Sequence, residues 1–232
     1  MRIRVILVEP EYEINLGYIA RVMANFGFGD LVIVKPKMKI GRKARMFAKH
    51  GYHVLKNAKK VNRLNEAVKD CDLIVGTSGK VNSDREALRN PLSIRMFAKK
   101  ISKHSGKIAL LIGREGMGLN RREIETCDFI VTIPAYDKYP ILNVSHALAI
   151  LLYEIAQADR KGMLTLRKIA RREEREELFK TFDSIVGSYS KGLRNADKIK
   201  LVLRRIIGRS MPTEIEIKAM LAIVKRMKNS LN

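Results

Sequence analysis

Five apolar runs of strand length, at residues 3–8, 31–34, 72–77, 107–112 and 128–133, recur along the first two thirds of this 232-residue chain. Most are unbroken stretches of Val, Ile and Leu. A strand with no polar side has to be buried on both faces, which is the condition of a strand inside a parallel sheet. Helix-period segments separate the runs, so residues 1–157 are expected to form an α/β domain with a mostly parallel sheet. Helix starts are legible too. Asn120 followed by Glu123 predicts a capping box, Asn90-Pro91 a cap with proline at the first helical position, and Asn15 the cap of the first helix.

Beyond Gln157 the pattern changes. The period is helical over 168–185, 191–207 and 213–228, and Thr213 with Glu216 forms a second capping box. Residues 158–166, with Gly162, are the expected linker, and 167–232 a small all-helical C-terminal domain.

Charge narrows the class of partner. The chain has 46 Lys+Arg against 24 Asp+Glu, a formal net charge of +22, which points to a polyanion such as nucleic acid. The bases are unevenly spread. Residues 158–232 carry 19 bases and 9 acids, and residues 35–63 hold eleven bases and no acid. A one-sign block repels itself unless something anionic lies against it, so 35–63 reads as a phosphate-contact surface. Within it, Tyr52 and His53 are candidates for base stacking or simply for packing.

Other classes fall away. No apolar run approaches the roughly 18 residues of a membrane span, and the start of the chain does not read as a signal peptide. Cys71 and Cys127 belong to no paired motif, so each reads as a small buried thiol ahead of a strand. A soluble, cytoplasmic protein is expected. His50 and His53 have ligand-like spacing without further ligands nearby, so no metal site is expected.

Nucleotide fingerprints are also missing. The first strand runs into Glu9-Pro10-Glu11-Tyr12-Glu13 and not into a glycine-rich turn. Gly76-Thr77-Ser78-Gly79-Lys80 is too short for a P-loop, and Val81 stands where Ser or Thr would hold magnesium. Three other segments follow strands directly: Gly76–Gly79 in the third, Gly113-Arg114-Glu115-Gly116-Met117-Gly118-Leu119 after the fourth, and Ile133-Pro134 through Asn143 after the fifth. Carboxyl ends of parallel strands form the ligand crevice, so three such loops predict a small-molecule pocket.

Three segments also carry a resemblance. They are Asn15-Leu16-Gly17-Tyr18-Ile19-Ala20-Arg21 with Asn25-Phe26-Gly27-Phe28, then Gly113 to Leu119, then Ile133-Pro134 with Leu142-Asn143-Val144-Ser145-His146-Ala147. In this order and spacing they resemble the three motifs of the SPOUT RNA 2′-O-ribose methyltransferases, over residues 1–157. Gly113-Arg114-Glu115-Gly116 and the stretch from Tyr139 to His146 are most similar to a tRNA-specific branch, which methylates the ribose at nucleotide 32 of the anticodon loop.

The resemblance implies a homodimer whose catalytic domain is threaded into a deep trefoil knot. It implies that S-adenosyl-L-methionine binds there to Thr77, Ser78, Gly79, Gly113, Ile133, Leu142 and Asn143. Backbone groups would hold its polar ends, with Ile133 and Leu142 over the adenine. It makes Arg21 the catalytic arginine, with Asn15, Glu115, Asn143 and Ser145 around it. A guanidinium stays protonated and is a poor base, so Arg21 is assigned to gripping a phosphate and stabilising the developing alkoxide. Glu115 is the alternative proton acceptor. Read without the resemblance, Arg21 would pair with Glu9, Glu11 or Glu13.

Further expectations attach to neighbouring residues. Arg114 and Glu115 are expected to pair with each other across the dimer or to orient RNA, and His146 to be a packed core histidine. Ile141 stands where many relatives have Ser, and Ser145 is the candidate to supply the missing hydroxyl. Arg85 is the expected RNA-facing residue of the loop after Ser78. The substrate alternative is ribosomal RNA. The alternative of another class is a non-catalytic nucleic-acid binder using 167–228 as a helix-turn-helix.

Overall fold

A computed structural model of the chain describes residues 2–79, 91–160, 169–189 and 195–230. The elements run β1 (Arg2–Val8), α1 (Glu13–Asn25), β2 (Asp30–Val34), α2 (Arg42–Ala48), a 3-10 turn at Lys49–Gly51, α3 (Tyr52–Lys56), β3 (Lys59–Val61), α4 (Leu64–Val68) and β4 (Leu73–Thr77). They continue with β5 (Leu92–Ser93), α5 (Ile94–Ile101), β6 (Lys107–Ile112), α6 (Arg121–Glu125), β7 (Phe129–Thr132) and α7 (Val144–Arg160). Three helices follow, α8 (Arg172–Ser188), α9 (Ala196–Ser210) and α10 (Glu214–Asn229).

The strands form one sheet in the order β3-β2-β1-β6-β4-β7-β5, and the described pairings are parallel. Both faces are covered, as unbroken apolar runs require. Val5 and Leu7 pack with Leu16, Ile19, Phe97 and Leu148 on one side, while Ile6 and Val8 pack with Val68, Ile124 and Cys127 on the other. The outermost strands, β3 and β5, have only three and two residues, and β3 carries two lysines. Short, charged edges of this kind stop a sheet from pairing with another copy.

Each Cys-Asp pair closes a strand start. Asp72 Oδ2 accepts from the Lys107 N–H at the start of β6, and Asp128 Oδ2 from the Ile74 N–H in β4. The thiols of Cys71 and Cys127 are buried, and desolvation pushes them up to about 11 and about 12. Unionised thiols in such places are packing atoms.

Caps at Asn120 and Thr213 form as expected, each with its reciprocal Glu. Two other starts differ. Asn15 lies inside the first turn of α1, whose cap position is Tyr12, because Asn15 is drawn inward by side-chain partners described below. Helix α5 opens at Ile94 with Ser93 accepting from Met96 N–H, three residues after Pro91; Asn90 lies outside the described residues. The segment expected as linker begins inside α7, which runs to Arg160, and 161–168 lie outside the described residues.

The C-terminal helices have a small core of their own, with Ala170, Leu178, Phe179, Ile207 and Ile217. They also dock on the N-terminal strand ends, opposite the glycine loops. Arg175 is 2% exposed; its Nη1 donates to Asp128 Oδ1 at 2.9 Å and its Nη2 to the Asp72 carbonyl. Arg205, also buried, donates to the Ile124 carbonyl at the end of α6. Gly208 permits the approach, since a Cβ there would lie 2.9 Å from Asp128 Cβ. Arg175→Ala leaves Asp128 partly buried without its cation, so urea denaturation is expected to show a loss of about 3–5 kcal/mol.

His104 sits beside this junction, 2% exposed and without a hydrogen-bond partner for either ring nitrogen among the described residues. Burial lowers its pKa to about 4. An unfolded chain protonates the same ring near pH 6.5. Between these values the unfolded state binds more protons, so stability falls as pH drops from 6.5 toward 4, by up to about 3 kcal/mol. Denaturation at pH 7 and pH 4.5 checks this, and His104→Asn is expected to flatten the slope.

Among the described residues, no helix is long and apolar enough to cross a membrane.

Candidate active site

The carboxyl ends of β4, β6 and β7 open into a cavity of about 430 Å³. Its lining includes Thr77, Ser78 and Gly79 from β4 and its loop, Gly113 to Leu119 after β6, and Ile133, Pro140, Ile141 and Leu142 after β7. Val144, Ala147 and Leu151 of α7 close the far side. The size suits a cofactor-sized molecule, and the walls mix apolar side chains with glycine backbone. Asn143 is not in the lining; its side chain turns away to cap α7, accepting from Ser145 N–H and Oγ–H at 2.9 and 2.7 Å.

Gly113 sets the shape of the cavity. An added Cβ would lie 2.1 Å from the Gly118 carbonyl carbon and 2.3 Å from Leu119 N. The loop folds back on itself through reciprocal backbone bonds between Arg114 and Gly118, with Gly118 at φ +68°.

Arg114 and Glu115 point in different directions. Arg114 Nε donates to Glu9 at 3.0 Å, while Nη1 and Nη2 donate to the two carboxylate oxygens of Glu123 at 3.0 and 2.9 Å. Within one chain Arg114 and Glu115 do not pair with each other; the pairing expected across the dimer concerns a second copy. Two carboxylates outcompete one, and the pairs raise the Arg114 pKa while lowering that of Glu9. Glu9, directly after β1, is itself left-handed, φ 47°, a conformation that costs a non-glycine residue energy.

Glu115 instead accepts from the N–H groups of Glu11 and Tyr12, at 3.0 and 3.3 Å, and from Asn15 Nδ2 at 3.3 Å. Free N–H groups at a helix start attract an anion, so this carboxylate ties the glycine loop to α1. Asn15 Oδ1 in turn accepts from Asn143 Nδ2 at 3.1 Å. Glu115, Asn15, Asn143 and Ser145 thus form one hydrogen-bonded chain joining all three sequence motifs.

Arg21 lies elsewhere. It is exposed on α1, outside the cavity lining, and has no ion-pair partner among the described residues. The carboxylates expected for it are occupied: Glu9 by Arg114, Glu11 by Lys37 at 2.7 Å, and Glu13 by the N–H groups of Gly41 and Ala44. With Ile14 and Tyr18 it forms one side of α1 at helical spacing. On the neighbouring α7, His146, Ile150 and Tyr153 repeat that spacing. His146 is exposed, contrary to the packed position expected of it, because the core side of α7 is filled by Leu148, Leu151, Leu152 and Ile155.

All eleven bases of 35–63 are exposed. Tyr52 is not a free platform there, since it packs on the core and carries the Arg45 guanidinium 5.4 Å from its ring centre. Arg85 lies outside the described residues. No cluster of metal-ligating side chains occurs among the described residues. Sequence reasoning missed the Arg114–Glu9–Glu123 clamp; a carboxylate directly after β1 and the Glu of a capping box were its visible signals.

A family model described as the SpoU rRNA methylase family matches residues 2–153. The tRNA (cytidine-2′-O-)-methyltransferase TrmJ of Methanocaldococcus jannaschii is 40% identical over 211 residues, 90% of this chain and 92% of the relative. The tRNA (cytidine/uridine-2′-O-)-methyltransferase TrmJ of Pectobacterium atrosepticum is 34% identical over 160 residues, 68% of this chain and 66% of the relative. The crystal structure of TrmJ from Z. mobilis superimposes with a TM-score of 0.75 over 98% of this chain and 100% of its own, at 24% identity, a likeness of fold.

Proposed function

As the chain belongs to the SpoU rRNA methylase family and is a methyltransferase, we propose that it moves the methyl group of S-adenosyl-L-methionine to a ribose 2′-hydroxyl of tRNA, at the cytidine of position 32. The observation that carries this reading is the glycine-lined cavity at the strand ends, tied by Glu115, Asn15 and Asn143 to the helix bearing Arg21.

The residues present fit the cofactor. Ile133, Leu142 and Leu119 offer apolar surface for a purine, Gly79 and Gly113 expose backbone where no side chain intervenes, and Thr77 and Ser78 add polar groups to the same wall. When bound, S-adenosyl-L-methionine supplies a methyl group already activated on a sulfonium, so the protein's task is positioning and handling the acceptor proton. Glu115 is occupied by three donors, which favours a structural role for it. Arg21, without an ion-pair partner among the described residues, would grip the phosphate beside the target ribose and stabilise the alkoxide.

A homodimer accounts for the placing of Arg21. Ile14, Tyr18, Ile150 and Tyr153 leave a 37–49% exposed apolar patch across adjoining α1 and α7. A second copy packed there by two-fold symmetry would cover the patch and bring Arg21 of one copy toward the cavity of the other. The trefoil knot of the family belongs to the same reading, as does a cytoplasmic location. Residues 1–157 then form the catalytic domain, while the exposed bases at 35–63 and the helical region 167–232 hold the tRNA body.

Transfer of labelled methyl from S-adenosyl-L-methionine to purified tRNA tests the proposal. Incorporation into tRNA, with affinity falling steeply as salt rises, supports it. Incorporation into ribosomal RNA alone, or into neither, overturns it.

A further inference from the structure

Exposed apolar side chains stand on the segments that line the cavity or directly adjoin its lining. Met117 is 83% exposed at the tip of the glycine loop, Tyr136 is 68% and Tyr139 is 80% exposed on the loop after β7, and Tyr12 is 60% exposed at the α1 cap held by Glu115. Pro140 and Ile141, directly after Tyr139, belong to the cavity wall, as does Met117. The Tyr136–Tyr139 segment is held as a turn by the bond from Tyr139 N–H to the Tyr136 carbonyl, with Lys138 exposed inside it.

We infer that Tyr139 stacks on the base of the nucleotide whose ribose is methylated, with Met117 on the opposite loop as the apolar counterface. The inference deepens the proposed tRNA function and rests on it. A ribose can reach a cavity at strand ends only if its nucleotide leaves the helical stack, and an unstacked base needs a new face to lie on. An exposed phenol ring provides one for any base, and Lys138 beside it suits the accompanying phosphate. The site therefore takes an unpaired nucleotide and not a duplex. Base choice would come from contacts other than the ring.

The test compares full-length wild type, Tyr139→Ala and Tyr139→Phe in steady-state methyl transfer to tRNA, with cofactor affinity by calorimetry and mass by light scattering. Tyr139→Ala is expected to lower kcat/KM for tRNA about ten-fold or more through KM, leaving cofactor affinity and mass as in wild type. Tyr139→Phe, which keeps the ring face, restores kcat/KM. An unchanged kcat/KM in Tyr139→Ala would overturn the inference, and so would a drop to half the wild-type mass, which would make the ring an interface residue. A loss in Tyr139→Phe equal to that in Tyr139→Ala would also overturn it, since the hydroxyl and not the ring face would then matter. Wild type inactive on every tRNA would overturn the proposed function itself and this inference with it.

Discussion

Arg21→Ala is expected to reduce methyl transfer by about a hundred- to a thousand-fold while leaving cofactor affinity within about two-fold of wild type. The split follows from position. Arg21 is exposed on α1, takes no part in the cavity wall and has no carboxylate partner among the described residues. Its removal breaks no ion pair among the described residues and leaves the core untouched, so stability should change little. On the proposed mechanism, what disappears is the positive charge that Arg21 would bring to the reacting hydroxyl. Arg21→Lys should recover little, because an ammonium lacks the planar fork that grips a phosphate with two parallel bonds. Turnover and calorimetry on the same preparations check both halves. Unchanged turnover would remove Arg21 from the mechanism.

Gly113→Val should act on the other half of the reaction. Even a Cβ would lie 2.1 Å from the Gly118 carbonyl carbon, far inside contact distance. The loop would have to open, pulling on the bonds from Arg114 to Glu9 and Glu123 and from Glu115 to α1. Cofactor affinity should fall by about a hundred-fold or more, and catalysis with it. The sheet below keeps its register, since β6 ends at Ile112, so circular dichroism should remain close to wild type. Equal cofactor binding by wild type and variant would place the cofactor elsewhere.

Much of this architecture was legible because burial on both faces leaves a plain mark. The runs that became β1, β2, β4, β6 and β7 carry almost no polar residue, so no other element suited them. The edge strands β3 and β5 left no such mark. Lys59-Lys60-Val61 and Leu92-Ser93 are strands only because a neighbour's backbone pairs with them. Asn15 and His146 were misplaced for a related reason. A polar residue at a helix start looks like a cap until its side-chain partner 100 or 128 residues away is known. A histidine on an apolar helix looks buried until the core side of that helix is identified.

The basic tail needs the largest adjustment. Two of its bases point inward: Arg175 fastens α8 to the starts of β4 and β7, and Arg205 fastens α9 to the end of α6. In the chain itself, the tail thus docks at the end of the sheet opposite the cavity. That arrangement suits a long substrate held at one place and modified at another.

Mass-spectrometric mapping of ribose methylation on unmodified tRNA, after incubation with the full-length protein and S-adenosyl-L-methionine, tests the central claim most directly. The account predicts one new methyl group on the ribose at position 32, absent when Arg21→Ala replaces wild type. A methyl group on a base, or no methyl gained by any tRNA, would contradict it.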